Sequence, residues 1–368
     1  VIVEVLLCLP LDQTYDYATG PFVPQVGDFV EVPFQGRILT GVVWGLKETS
    51  PHKKLKILHH KIEHFSFPIH MQKFVERVAH YTLSPRGLVL KLCFKAPYLK
   101  SKEFKELPPF SPVEKSVHLS SEQQEAADLL RKAVQETQYL PFVLDGVTGS
   151  GKTEVYFEAV AEALHHNRQT LVLLPEIALS RQWLLRFQER FGFEPVVWHS
   201  DILASKRPQE WQEVLKGKTK VVVGARSALF LPFSNLGLII VDEEHDGSYK
   251  QETGVFYNAR DMAILRGHLE NIPVILSTAT PSLETWQNVL EGRYRHLELT
   301  HRYGKSTLPS IDIIDMRSLK LPKGRWVSFP LQEAIRHTLE DKNQQAMLYL
   351  NRRGYAPLTI CNACGHHM

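Results

Sequence analysis

The sequence predicts an α/β chain: a nucleotide-binding lobe with a parallel sheet covered on both faces, preceded by a small β-rich domain. Three observations carry this. From residue 119 onward, short apolar runs alternate with helical spacing, as strands buried on both faces do. Within residues 140–153, LPFVLDGVTGSGKT, one such run passes through a glycine-rich turn into a helix that begins near Lys152 and continues through Tyr156, Val160 and Leu164. Residues 1 to about 60 instead alternate apolar and polar positions in short runs between Gly and Pro: VIVEVLLCL, QTYDYAT, GDFVEVPF and RILTGVVWGL. That pattern marks a small antiparallel barrel or sandwich.

In chain order, residues 1–97 read as the N-terminal domain, first β-rich and then helical. Helical spacing from Pro68 to about Leu92 sets Phe74, Val75, Val78 and Tyr81 on one face. Residues 98–118 are rich in lysine and proline and read as a linker. Residues 119–300 form the lobe, with strands expected near 142–144, 170–174, 195–198, 220–223, 238–241 and 274–277. With the phosphate loop at its first strand, this lobe reads as RecA-like. A second lobe of the same kind is expected over residues 301–360, with strands near 311–314 and 347–350. A zinc-binding region starts at 361–368.

At 368 residues the chain has room for two to three domains. Hydrophobic and charged contents of 43% and 23% are those of an ordinary globular protein, and a net charge of +3 gives no global signal for nucleic acid. No apolar stretch is long enough to span a bilayer. The opening VIVEVLLCLP carries Glu4 and lacks a basic flank, so it reads as a strand and not a signal peptide. Of four cysteines, Cys8 and Cys93 stand isolated, which suits a reducing compartment. Beginning at Val1 and stopping just after a cysteine pair, the chain reads as a fragment.

The chemistry centres on Gly146, Val147, Thr148, Gly149, Ser150, Gly151, Lys152 and Thr153, a G-x-x-x-x-G-K-T loop in the strand-turn-helix setting that it requires. Its glycines let backbone N–H groups turn onto phosphate oxygens at a helix N-terminus. Lys152 is expected on the β- and γ-phosphates of ATP, and Thr153 on Mg²⁺. The alternative for this pattern alone is a glycine-rich turn without a ligand. The strand LGLIIV ends in Asp242-Glu243-Glu244-His245-Asp246, where Asp242 would hold Mg²⁺ and Glu243 would polarise the attacking water. His245 completes a D-E-x-H box with them. A solvated strand exit would also explain four charges.

Further segments fit a helicase scheme. Gln123, in LSSEQ, resembles the glutamine that reads the adenine edge, and Ser120 or Ser121 would cap the helix there. Ser277-Thr278-Ala279-Thr280 offers short hydroxyls that can exchange partners as the nucleotide changes. LLPEIALS (173–180) and VGARSALF (223–230) carry Ser180, Arg181, Arg226 and Ser227, residue types that position phosphates without reading sequence. In GSYKQETGVFYNARD, Tyr249, Phe256 and Tyr257 are interleaved with Lys250 and Arg260. Composition leaves two readings open there: stacking on unpaired bases, or packing back on the lobe.

Taken in order, GVTGSGKTEVY, PEIALS, GARSALF, DEEHDGSYKQ, STATPS and LNRRGYAP resemble the PriA family of primosomal replication-restart helicases. The N-terminal domain is similar to that family's DNA 3′-end-binding domain through LPLDQTYDY, VGDFVEVPF and the following GVV. The resemblance implies an ATP- and Mg²⁺-dependent superfamily 2 DNA helicase moving 3′ to 5′, in the cytoplasm of a bacterium and associated with the nucleoid. It implies recognition of abandoned forks, D-loops and single strands with 3′ ends, with primosome proteins and single-stranded DNA-binding protein as partners. Asp16, flanked by Tyr17, would hold the 3′-terminal nucleotide. It further implies Zn²⁺, for which Cys361 and Cys364 in C-x-x-C spacing supply two of four ligands. The winged-helix domain usual in the family has no counterpart between residues 97 and 119, and the arginine finger is expected beyond Met368. Two rivals are another superfamily 2 translocase, which would lack the 3′-end pocket, and a fork-binding scaffold, which would not need Glu243.

Overall fold

The computed structural model describes residues 1–52, 54–99, 115, 117–175, 181–198, 205–302, 310–319, 327–342 and 344–349. They divide into two units, residues 1–306 and 307–368.

The first 66 residues build one curled six-stranded sheet from β1 (Ile2–Leu7), β2 (Tyr15–Ala18), β3 (Asp28–Phe34), β4 (Arg37–Lys47), β5 (Lys56–Ile57) and β6 (His60–Ser66), in the order β5-β2-β1-β4-β3-β6. Between β5 and β6 the chain crosses from one edge toward the other, with Leu58 N–H donating to Ala18 O and His59 N–H to Glu31 O. Unpaired edges are thereby reduced, as in a small barrel. Alternation gives the sheet an inner face of Val3, Val5, Val30, Val32 and Val43.

Helical spacing after Pro68 resolves into two helices, α1 (Ile69–Thr82) and α2 (Arg86–Cys93), instead of one. Leu83 adopts φ 51° as the C-cap of α1 and Pro85 follows, so the chain cannot continue helically. Phe74, Val75 and Val78 are buried as expected, whereas Tyr81 is exposed. A short 3-10 turn, Ala96–Leu99, opens the expected linker, and Tyr98 and Leu99 in it are buried.

The lobe contains α3 (Ser121–Glu136), β7 (Pro141–Gly146), α4 (Lys152–His165), β8 (Gln169–Leu173), α5 (Arg181–Phe191), β9 (Val196–Trp198), α6 (Arg207–Leu215), β10 (Val221–Gly224), β11 (Leu236–Asp242), a two-residue hairpin of β12 (Lys250–Gln251) and β13 (Tyr257–Asn258), α7 (Ala259–Glu270), β14 (Val274–Thr278), α8 (Leu283–Leu290) and β15 (Arg295–Leu299). Its main sheet is parallel throughout, in the order β15-β7-β14-β11-β8-β10-β9. All six strands expected from apolar runs are present. The edge strand β15, RHLEL, was not anticipated, because its burial alternates and it lacks a continuous apolar run. In a parallel sheet every strand ends at the same edge, so the loops after β7, β14 and β11 converge there.

The N-terminal domain packs directly on the lobe. Trp211 of α6 is fully buried, stands edge-on to Phe29 and donates its indole N–H to Cys93 O at 2.8 Å. Gln212 donates to Tyr98 O at 2.6 Å, and Phe74 packs on Phe230 at 5.6 Å. Arg266 of α7 is fully buried between the rings of Phe74 and Phe233, and its guanidinium donates to Leu229 O, Leu231 O and Glu270. One core therefore runs through both domains. Truncating Trp211 or Phe74 to alanine in it would cost about 3–5 kcal/mol.

In the second unit the described elements are α9 (Phe329–Arg336), capped by Ser328, and a π turn, His337–Asp341. The strands expected near 311–314 and 347–350 do not form among its described residues, and Ile311, Ile313 and Met347 are exposed. A strand needs a hydrogen-bonded neighbour, which these segments lack among the described residues. LNRRGYAP, Arg352, Arg353, Cys361 and Cys364 lie outside the described residues, as do residues 176–180. No described helix is long and apolar enough to cross a membrane.

Candidate active site and nucleic-acid interface

The phosphate loop leaves β7 at Gly146 and enters α4 at Lys152. Gly149 and Gly151 have φ of 82° and 84°, which other residues adopt only under strain, and a Cβ on Gly151 would lie 2.3 Å from Gln123 Nε2. Helix α4 has no side-chain cap, so its first N–H groups face the loop as an anion site. Ser150 Oγ is buried without a hydrogen-bond partner among the described residues. The Lys152 ammonium folds across the loop and donates to Gly146 O at 2.6 Å. Burial lowers its pKa, opposed by Glu243, Asp242 and Asp145.

Ser120 caps α3, and Gln123 completes a capping box by accepting from Ser120 N–H. The same carboxamide donates to Ser150 O at 2.7 Å, so Gln123 ties α3 to the loop. Its cap role and its place beside a nucleotide are compatible. A cavity of about 490 Å³ is lined by Val117, His118, Gln123, Gly149, Lys152, Thr153, Arg186, Asp242 and Glu243, among others.

Asp242 ends β11 and is paired in register with Ser277 of β14. Ser277 donates to Asp242 Oδ1 at 2.7 Å, and His245 Nδ1 lies 2.8 Å from Thr278 Oγ1. The short hydroxyls of this strand end thus hold the acidic box from the side. Glu243 adopts φ 49°, a strained conformation that turns its side chain to the cavity. Burial and then the Asp242 charge raise its pKa, against the pull of Lys152 and His245. Hard oxygen donors on Thr153 and Asp242 beside an anion cradle fit Mg²⁺, which takes few protein ligands along with phosphate oxygens. Among the described residues no group of three or more His, Cys, Asp or Glu could hold a metal.

Glu244 was not singled out in the sequence. Its side chain is fully buried and accepts from Ser282 N–H, Ser282 Oγ, Thr285 Oγ1 and the Arg260 guanidinium. Only its place in an acidic run signalled it, and that run reads equally as solvated.

Three expected DNA contacts are corrected by burial. Tyr249 is 1% exposed, with its hydroxyl 2.6 Å from Asp242 O and 3.0 Å from Leu173 O. Tyr257 is 7% exposed and edge-on to Phe230. Neither ring has a face free for a base. Arg260 is sequestered by Glu244 and Asp261. Phe256 is the exposed aromatic of that segment, with Lys250 nearby in sequence and also exposed. Arg226 donates to Ser248 O and Lys250 O, fastening the loop, while Ser227 is exposed.

In the N-terminal domain, Asp16 lines a second cavity of about 720 Å³ with Gln13, Tyr15, Phe34, Gln35, Lys47, His52, Lys54 and Lys56. Lys47 lies 2.6 Å from Asp16 Oδ1, and Ser50 donates to Oδ2 at 2.5 Å. Burial works to raise the Asp16 pKa, but Lys47, Ser50 and His52 together hold it below the ordinary value. Tyr17 also lines this cavity, though only 4% of it is exposed: its hydroxyl donates to Pro33 O, and burial raises its pKa to about 12.

A phosphate loop facing an Asp-Glu pair across a parallel sheet defines a helicase-type nucleotide-binding domain, here fused to a curled β domain. Residues 120–289 match the DEAD/DEAH box helicase family model and residues 4–95 that of the 3′DNA-binding domain (3′BD). Replication restart protein PriA of Rickettsia conorii is 44% identical over 348 residues, 93% of this chain and 52% of that one. PriA of Bacillus subtilis is 38% identical over 77% of this chain and 35% of its own length, and PriA of Haemophilus influenzae 47% over 61% and 30%. The chain belongs to the PriA family. It spans about half the length of the Rickettsia relative.

Proposed function

We propose that the full-length protein is an ATP-driven DNA helicase moving 3′ to 5′ that recognises stalled or abandoned forks and D-loops by an exposed 3′ end. It then initiates replication restart with primosome proteins and single-stranded DNA-binding protein. One observation carries this reading: the phosphate loop with its facing carboxylates and the Asp16 cavity belong to domains that share one core.

Lys152 exchanges Gly146 O for the β- and γ-phosphates, while the N–H groups at the start of α4 cradle their oxygens. Thr153 and Asp242 would hold Mg²⁺, which would offset phosphate charge. Glu243 orients the attacking water and accepts its proton, and a raised pKa makes it a better base. His245 and Thr278 carry the state of this box to β14. Asp16 accepts from the 3′-OH, and Lys47, Lys54 and Lys56 offset the charge of the nearby phosphates. Arg226, Ser227, Lys250 and Phe256 contact the tracked strand. Cys361 and Cys364 supply half of a zinc site, tested by the zinc content of the full-length protein before and after Cys361→Ser.

The test is ATP hydrolysis by the full-length protein with forked DNA bearing a 3′-OH. Turnover stimulated by the fork and abolished by Lys152→Ala is expected, with preference for 3′-OH over 3′-phosphate lost on Asp16→Ala. Turnover indifferent to DNA, or unaffected by Lys152→Ala, would refute the reading.

A further inference from the structure

Asp242 is held at both oxygens, and one of the holds comes from a buried tyrosine of α4. Its Oδ1 accepts from Ser277 Oγ and from Glu243 N–H at 3.1 Å. Its Oδ2 lies 3.0 Å from the Tyr156 hydroxyl. Tyr156 is fully buried, three residues past Thr153 on α4, and its phenol oxygen lies 2.8 Å from Trp183 Nε1. An indole N–H can only donate. It therefore occupies a lone pair of the phenol and leaves the phenolic hydrogen for Asp242. The phenol thus contacts Asp242, one of the two side chains assigned to the metal.

Trp183 is itself fixed, stacked on Phe187 at 5.5 Å and edge-on to Phe157 at 5.5 Å. A buried hydroxyl in such an aromatic cluster costs free energy unless its bonds are made, and phenylalanine would fill nearly the same space. Helix α5, which carries Trp183, opens directly after the segment assigned to the DNA backbone. Two hydrogen bonds therefore link helix α5 to the carboxylate at the end of β11.

We propose that Tyr156 is a positioning residue for the nucleotide's metal ion, orienting the Asp242 carboxylate, and that Trp183 sets the direction of its hydroxyl. The proposal rests on the nucleotide reading above. It separates a structural hydroxyl from one that serves the metal, because only the latter alters metal affinity at constant nucleotide affinity.

In the full-length protein with ADP, Mn²⁺ binding is measured by electron paramagnetic resonance, alongside metal-free ADP affinity and Tm. Tyr156→Phe is expected to weaken Mn²⁺ binding about 10-fold, the usual effect of removing an outer-shell partner, with metal-free ADP affinity within about twofold. Unchanged Mn²⁺ affinity would overturn the proposal. The double variant Tyr156→Phe/Trp183→Phe removes the indole N–H together with the hydroxyl that it meets. Weak Mn²⁺ binding in it is expected, and recovery would overturn the proposal by tracing the effect to Trp183. Should Tyr156→Phe not fold, Trp183→Phe alone decides: a smaller weakening supports the proposal and none refutes it. If Lys152→Ala binds metal-free ADP as tightly as the unmodified protein, the nucleotide reading fails and takes this inference with it. Lost ADP binding in that control, with unchanged Mn²⁺ binding in Tyr156→Phe, sinks this inference alone.

Discussion

Replacing Glu244 with Gln tests the wiring behind the acidic box. The carboxylate accepts from Ser282 N–H at 2.7 Å, Ser282 Oγ at 3.0 Å, Thr285 Oγ1 at 2.9 Å and Arg260 Nη1 at 3.3 Å. A glutamine offers one acceptor oxygen in place of two and sets N–H donors against those hydroxyls or the guanidinium. Removing one side of a buried ion pair costs about 3–5 kcal/mol. Arg260 keeps Asp261 at 2.8 Å, and that carboxylate is 38% exposed, so the low end is expected, about 3 kcal/mol. At about 2 °C per kcal/mol for a chain of this size, Tm falls by about 6 °C. Thermal unfolding of Glu244→Gln, Arg260→Gln and the double variant gives the coupling between the two. A double variant more stable than the summed singles by about 1 kcal/mol or more is expected. Additive singles, or a Tm drop of less than about 1 °C, would refute the claim that this pair fastens the chain after β11 to the start of α7.

Two further predictions concern the reaction and the DNA. Glu243→Gln should keep ATP binding and lower turnover about 100-fold or more. Because burial and Asp242 raise the pKa of Glu243, and the base must be ionised, turnover of the unmodified protein should fall with decreasing pH through a value above the ordinary glutamate range. A pH profile whose acid limb is unchanged in Glu243→Gln would assign that limb to another group. For single-stranded DNA, Phe256→Ala should weaken binding by about 1–3 kcal/mol. Tyr257→Phe should leave it unchanged, and titrations giving the reverse would return the buried tyrosine to the interface.

Much of the architecture was legible because its signals are local. Apolar runs gave six of the seven strands of the main sheet, and the glycine spacing gave the loop, since both depend on neighbours in sequence. The edge strand β15 escaped because half of its residues face outward. The break between α1 and α2 escaped because helical spacing continues across Leu83 and Pro85 while the backbone does not. Aromatic residues interleaved with cations suit a base-stacking surface, but Tyr249 and Tyr257 were claimed by the core. Arg260 was claimed by Glu244, a partner 16 residues away that no spacing rule selects.

The sequence by itself determined the class of chemistry. A phosphate loop between strand and helix, an acidic box at a strand end, and their order are encoded within short windows. The tertiary structure alone decided which side chains meet. It set Ser277 beside Asp242 by strand register, brought Trp183 of α5 to Tyr156 of α4 and Tyr156 to that carboxylate, and packed the N-terminal domain onto α6 and α7 around Trp211 and Arg266. Such contacts span tens to more than a hundred residues, and burial decides them collectively. Sequence spacing carries little trace of them.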